Sequence, residues 1–255
     1  MLTDRRFRLP LQALEPMHLE DGDGLTLMLL NPTGGILAGD VLETSVVLDA
    51  GSRACLTTAA ATRVYRSAGP RAEQTFRAEL RAGAVLEYVP DHLIPSPGAR
   101  LRQRTEISLG PDAVLLLSEA WAVGRIARGE HWAFDELDLS TELRDERGLV
   151  LKERCTLDRA ARDGLGGTEG FGYVATFAAV APSRGGWDDL SRELRDAVAA
   201  LDDGTRAAGS ALGRAGALVR LLCPSAPALQ SSVQTVWNLC RRRLLGRSPL
   251  ALRKL

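Results

Sequence analysis

Three stretches share one outline and decide how the chain folds: SVVLDAGSRACLTT over residues 45–58, FRAELRAGAVLEYV over 76–89 and TEISLGPDAVLLLSEAW over 105–121. Each runs from an apolar strand through a short turn built on Gly or Asp into a second apolar strand. A fourth version, TELRDERGLVLKER over 141–154, turns at Glu146-Arg147-Gly148. The turns recur roughly every 28 to 36 residues, which leaves room for two strands and a connection. No helical pattern intervenes. The expectation is a mainly β chain, a stacked β-sheet or β-helix-like scaffold, and spacing alone leaves a β-sandwich open as the alternative.

Upstream, Leu25–Leu30 is a short apolar run stopped by Asn31-Pro32, and Val41–Leu48 alternates as a strand does. Helical periodicity is confined to the C-terminal third. Leu190, Leu194, Val198 and Leu201 mark a helix over 187–201, with Asp188 and Asp189 near its start and Gly204 as its stop. A Gly/Ala-rich bridge and a strand over 217–222 follow. Pro224 and Pro227 then precede a second helix over 229–245, whose stripe is Leu229, Val233, Val236, Trp237, Cys240 and Leu244. Residues 162–172, rich in Gly and polar side chains, are expected to be a loop. No linker is long enough to divide the chain, so 1–255 is expected to be one domain.

The 255 residues are 45% hydrophobic and 25% charged, a globular composition. Thirty-two Lys plus Arg balance thirty-two Asp plus Glu. Zero net charge argues against nucleic acid or an anionic membrane as partner, since both need a cationic excess. Lys152 and Lys254 are the only lysines; coding bias explains this, and so does the use of arginine forks at interfaces. Cys55, Cys155, Cys223 and Cys240 form no CxxC pair, so neither a zinc ribbon nor a disulfide framework is expected. With no apolar leader or membrane-length run, the expectation is a cytoplasmic protein with reduced thiols.

The sequence offers little catalytic chemistry. Residues 31–40 are glycine-rich but end in Asp40 instead of Gly-Lys-Ser/Thr, and a strand follows, so they form a turn and not a phosphate loop. A GxSxG elbow is absent, and His18, His92 and His131 lie in unrelated polar or loop contexts. Glu87, Asp91, Glu119, Glu130 and Asp135 fall near expected strand ends. They motivate one alternative function, a carbohydrate-active enzyme (glycosidase or lyase) on a β-stack. Aromatic content of 5% speaks against a sugar cleft. Arg241, Arg242, Arg243, Arg247, Arg253 and Lys254 form the one basic cluster, which either complements a helix dipole or serves as a docking arm.

The run NPTGGILAGDVL (31–42) followed by LTTAAATRVYRS (56–67) resembles the urease accessory protein UreD family, called UreH in some organisms. LEYVP, PDHLIP with PGA, GRIARGE, LVLKER and the helical LLGR ending resemble it further, so the likeness spans nearly the whole chain. Thr33 replaces the family's second proline, Ala38 replaces a glycine, and the closing tail is reduced. The resemblance implies a non-enzymatic β-stacked scaffold with two helices that assembles with UreF and UreG and binds apo-urease. Nickel would be in transit through an internal channel, with no tightly bound cofactor. Asn31, Gly34, Gly35, Gly39, Asp40, Thr57, Thr58, Tyr65 and Arg66 carry over as the motif positions for partner binding, Tyr65 and Arg66 foremost. Glu119, Glu130, Asp135 and Glu153 are the weak channel candidates, as hard oxygen ligands.

Overall fold

The computed structural model describes residues 2–20, 24–158, 160 and 167–252. In the repeated units, the turn does not fold each strand back on its predecessor. It carries the chain across to a facing sheet, where the strand bonds to its equivalent in the next coil. One sheet contains β1 (Gln12–Ala13), β2 (Leu25–Leu30), β4 (Arg53–Thr58), β7 (Val85–Tyr88) and β10 (Val114–Ala122), and β2, β4, β7 and β10 run parallel. The other contains β3 (Val41–Leu48), β6 (Ala72–Leu80), β9 (Arg100–Leu109) and β11 (Glu136–Asp145), all parallel. Short β5 (Thr62–Val64) and β8 (Leu93–Pro95) pair at the corner between coils. The expected stack is therefore a solenoid whose two sheets face each other.

The stacked turns repeat one geometry. Gly51, Gly83 and Asp112 take left-handed φ values of 71°, 66° and 57° at equivalent positions. The Gly51 N–H donates to the Ala82 carbonyl at 2.9 Å, and the Gly83 N–H to that of Pro111 at 2.7 Å. The fourth unit departs from the pattern. Its turn closes a hairpin in which β12 (Gly148–Leu157) runs antiparallel on β11, with a register irregularity at Leu143/Arg144. β13 (Tyr173–Val180), β15 (Gly216–Cys223) and β14 (Arg206–Ala211) extend the first sheet antiparallel beyond β10, giving sheets of ten and five strands.

Helices α1 (Trp187–Ala199) and α2 (Ala226–Cys240) cover the outer face of the first sheet, over Phe177, Val219 and Leu221. α2 begins earlier than its stripe suggests, because Ser225 caps it (the Ala228 N–H donates to Ser225 Oγ at 3.2 Å) and Pro227 sits in the first turn. Beyond Cys240 the chain widens into a π turn, Arg241–Leu245, closed by Gly246 at φ 63°. None of the described helices is long and apolar enough to cross a membrane. Residues 161–166, part of the expected loop, and the tail residues Arg253, Lys254 and Leu255 lie outside the described residues.

The Gly/Ala bridge is in fact strand β14. Its small residues are required because α1 lies directly on it: a Cβ on Gly209 would stand 2.4 Å from the Ser191 carbonyl oxygen. Gly209→Ala is expected to destabilise the chain by about 1–3 kcal/mol through this overlap. Gly185→Ala, where a Cβ meets nothing within 4 Å, should stay within about 0.5 kcal/mol of wild type. Urea unfolding of the two variants checks this, and equal midpoints would refute it.

Candidate functional site

Strand alternation places Leu115, Leu117 and Glu119 of β10 on the face that looks into the gap between the sheets. The opposite wall is built in rows. In-register pairing aligns Thr105, Thr141 and Glu153 in one row, and Gln74, Gln103, Leu139 and Cys155 in the next. Glu119 accepts hydrogen bonds from Thr105 Oγ1 at 2.6 Å, from Thr141 Oγ1, and from Gln103 Nε2 at 3.4 Å. Glu153 meets Arg220 of β15 at 3.0 Å, an ion pair that bridges the two sheets at their rim. Apolar clusters lie on either side of this polar layer, one around Leu80, Leu86 and Leu115, the other around Ile36, Leu101 and Phe134.

Burial pushes the Glu119 carboxyl above the usual carboxylate range; the threonine hydroxyls oppose the shift and the nearby Glu153 charge adds to it. Burial and the Glu119 charge push the Tyr88 phenol up as well. Among the described residues no cation pairs with Glu119; it is held by two hydroxyls and one amide. Among the described residues, Gln74 Oε1 is buried with no hydrogen-bond partner.

On the side where β2 and β4 face β3 and β6, the gap widens into a cavity of about 1130 Å³. Leu27, Leu56, Phe76 and Tyr88 line it, the last two stacked at 3.9 Å between ring centroids. Gln74 also lines it, and the register sets Gln74 beside Gln103, which bonds Glu119. The polar layer thus begins at a residue of the cavity wall. Among the described residues, no three His, Cys, Asp or Glu side chains converge to hold a metal ion.

The four channel candidates separate. Glu119 and Glu153 share the layer. Glu130 belongs to the corner after β10, where Arg125 grips it at 2.5 and 2.7 Å and lowers its pKa, and Asp135 is exposed. The motif residues gather elsewhere, at the stacked corners. Asn31 Nδ2 donates to the Gly35 carbonyl at 2.9 Å, and the Asp40 carboxylate accepts from the Leu37 N–H at 2.8 Å. The Tyr65 hydroxyl donates to the Gly34 carbonyl at 3.4 Å, and the Gly39 N–H to that of Pro70 at 3.0 Å. Thr57 is buried and donates to the Val89 carbonyl at 2.7 Å, while Thr58 accepts from the Asp91 N–H at 2.8 Å. Arg66 is exposed and Tyr65 half-buried.

The basic cluster needs correction, because its first member is neither a dipole cap nor a docking arm. Arg241 is fully buried: its Nη1 donates to both Glu87 oxygens at 2.6 and 2.7 Å, its Nε to the Ser248 carbonyl at 3.0 Å, and its Nη2 to Glu20. The Trp237 indole N–H donates to the same Glu87 carboxylate at 2.6 Å. Burial pushes Glu87 up, and Arg241 and Trp237 oppose that shift. Glu87 is therefore a paired core acid rather than a cleft acid. The signal was an acid in the buried strand VLEY, which a fold tolerates only with a partner.

A two-sheet solenoid with helices on one face and a hydrogen-bonded polar interior defines a β-stacked scaffold. Sequence comparison specifies it further. Residues 1–254 match the family model described as UreD urease accessory protein. The chain is 34% identical over 246 residues to "Urease accessory protein UreD" of Mycolicibacterium gilvum (strain PYR-GCK), covering 94% of this chain and 88% of that protein. It is 37% identical over 239 residues to the protein of that name from Pseudomonas putida (strain GB-1), covering 93% and 82%. For the Herpetosiphon aurantiacus protein of the same name the figures are 33% over 262 residues, 100% and 91%. The chain belongs to the UreD urease accessory protein family.

Two outcomes follow from the buried acids. The folded chain holds the Glu119 proton to higher pH than the unfolded chain, so just above the ordinary carboxylate range it binds more protons and this group's contribution to stability falls as pH rises. Glu119→Gln should therefore gain in urea midpoint on the wild type as pH climbs from that range toward neutrality; a gap constant with pH would contradict this. Arg241→Met, which strands a buried carboxylate, should cost about 3–5 kcal/mol. Adding Glu87→Gln should recover part of that loss in a double-mutant cycle of thermal or urea unfolding, and a simple sum of the two losses would argue against the coupling.

Proposed function

We propose that this chain is a urease maturation scaffold that binds apo-urease together with UreF and UreG and lets nickel pass between its two sheets. It acts by binding and conduction, with no catalysis of its own, in the cytoplasm. The observation that carries the reading is the polar layer centred on Glu119, which begins with Gln74 at the cavity wall and reaches Glu153 and Arg220 at the opposite rim. A divalent cation crossing an apolar core needs successive oxygen ligands, and the amides of Gln74 and Gln103, the hydroxyls of Thr105 and Thr141, and the Glu119 carboxylate supply them. One carboxylate among neutral oxygens holds such an ion loosely, as transit requires. The exposed rim of the stacked corners, Tyr65 and Arg66 above all, is the part of the family motif available to a protein partner. No observation favours the carbohydrate-active alternative.

Co-expression with the urease subunits and the other accessory proteins tests both halves. The wild-type chain should co-purify with UreF, UreG and apo-urease, and failure to do so removes the scaffold role. Glu119→Leu, which replaces the charged oxygen of the layer by an apolar plug, should still co-purify yet lower the nickel content and activity of the urease several-fold. Urease fully loaded by that variant would end the conduction reading.

A further inference from the structure

The polar layer ends at a charged pair, and the strand register shows where. Across the first sheet, Glu119 of β10 stands beside Thr176 of β13, Thr176 beside Arg220 of β15, and Arg220 beside Ala208 of β14. Directly paired residues share a face, so all four look toward the second sheet. There the row runs Thr105, Thr141, Glu153, and β12, which carries Glu153, is the edge strand. Glu119 spans the gap to Thr105 and Thr141, and Arg220 spans it to Glu153 at 3.0 Å. Beyond that pair stands Ala208, which is exposed. In this row the Arg220–Glu153 contact is the last link between the sheets before solvent.

The neighbouring rows are apolar. Leu143 and Leu151, with Ala178 and Leu218, lie on one side; Leu139 and Cys155, with Val174 and Leu222, lie on the other. An ion that follows polar ligands outward from Glu119 therefore has one row to follow, and that row runs into Arg220. A guanidinium carries a fixed positive charge and hydrogen-bond donors only, so it repels a divalent cation and offers it no ligand. It also occupies Glu153, the next carboxylate along the row. Arg220 is 57% exposed, so it can leave Glu153 without any unpacking of the core.

We propose that the Arg220–Glu153 pair is a gate, which closes the rim end of the layer to divalent cations in the isolated chain and opens when Arg220 is drawn off Glu153. This rests on the reading of the layer as a path for nickel. Arg220 acts twice over, by placing a positive charge across the row and by withholding an oxygen ligand. With Arg220 gone, Glu153 becomes the outermost ligand of the layer. Cys155 reports on that event, because it lies two residues along the same face of β12 and is half-buried, while Cys55, Cys223 and Cys240 are buried.

The purified full chain is treated with methyl methanethiosulfonate, an uncharged thiol reagent, with and without nickel sulfate, and modification of Cys155 is timed by mass spectrometry. Each variant is checked for fold by circular dichroism. Nickel should leave the wild-type rate unchanged within twofold and slow that of Arg220→Gln at least fivefold. Arg220→Lys, which keeps the charge, should behave as the wild type. Arg220→Gln combined with Glu153→Gln should lose the protection, since the freed carboxylate is what holds the ion. Protection of the wild type or of Arg220→Lys equal to that of Arg220→Gln overturns the gate, as does no protection of Arg220→Gln or protection that survives loss of Glu153. Urease loading by Glu119→Leu separates the two claims. If that variant loads urease poorly while Arg220→Gln is unprotected, the gate alone falls; if it loads urease fully, the path itself falls and the gate with it.

Discussion

The stack closes on one steric constraint: where Gly35 passes over Arg63 and Tyr65 there is no space for a side chain between the two corners. A Cβ on Gly35 would stand 2.5 Å from the Arg63 carbonyl oxygen and 2.8 Å from the Tyr65 ring, and one on Gly98 would stand 3.1 Å from Arg66 Cγ. The Ile36 N–H donates to the Arg63 carbonyl at 2.8 Å and the Tyr65 N–H to that of Ile36 at 2.9 Å, so the corners are also stitched together. The two most recognisable sequence motifs are thus neighbours in space, one laid on the other. Their contacts fix one corner upon the next.

In-register parallel pairing then converts sequence positions into rows. Once Ala72 stands beside Leu101, Gln74 must stand beside Gln103, and with Leu101 beside Leu137, Thr105 must stand beside Thr141. Polar residues that look scattered along the chain become a continuous layer in the gap. A core without that layer would be simpler to stabilise, since each buried polar atom left unpaired costs about 1–3 kcal/mol. Gln74 Oε1, unpaired among the described residues, indicates that the layer is not arranged for stability alone.

The local half of this was readable from sequence. The strand-turn-strand outline, the late helices and the family follow from periodicity, breakers and motifs, which are properties of adjacent residues. Three things were hidden because they depend on residues far apart. Whether a turn closes a hairpin or crosses to a facing sheet is set by what the strand pairs with, so the 141–154 unit looked like the others and is a hairpin. β14 resembled a linker because its Ala and Gly serve close contact with α1. Arg241 looked like part of a surface cluster, although its partners Glu87 and Glu20 lie 154 and 221 positions away. For the same reason the channel candidates could be chosen by residue type, while only the pairing register divides Glu119 and Glu153 from Glu130 and Asp135.

Glu87 and Glu119, carboxylates on opposite faces of the first sheet, make an instructive contrast. On the helix side of the first sheet, Glu87 is held by a guanidinium and an indole N–H, and the N-terminal segment, the sheet and the C-terminal helix are pinned together through it. That is how a fold neutralises an acid it uses for structure. On the other side of the same sheet, Glu119 is half-buried and has no cation partner among the described residues, only hydroxyls and an amide whose hydrogen bonds could be exchanged for those of an ion. A carboxylate raised in pKa by burial gains most from the arrival of positive charge, because the cation relieves the desolvation that burial imposed. Hydroxyl groups can turn a lone pair toward that cation as readily as they turn a proton toward the carboxylate. The asymmetry between the two faces of one sheet is therefore the strongest physical argument for the proposed passage of an ion through the interior layer.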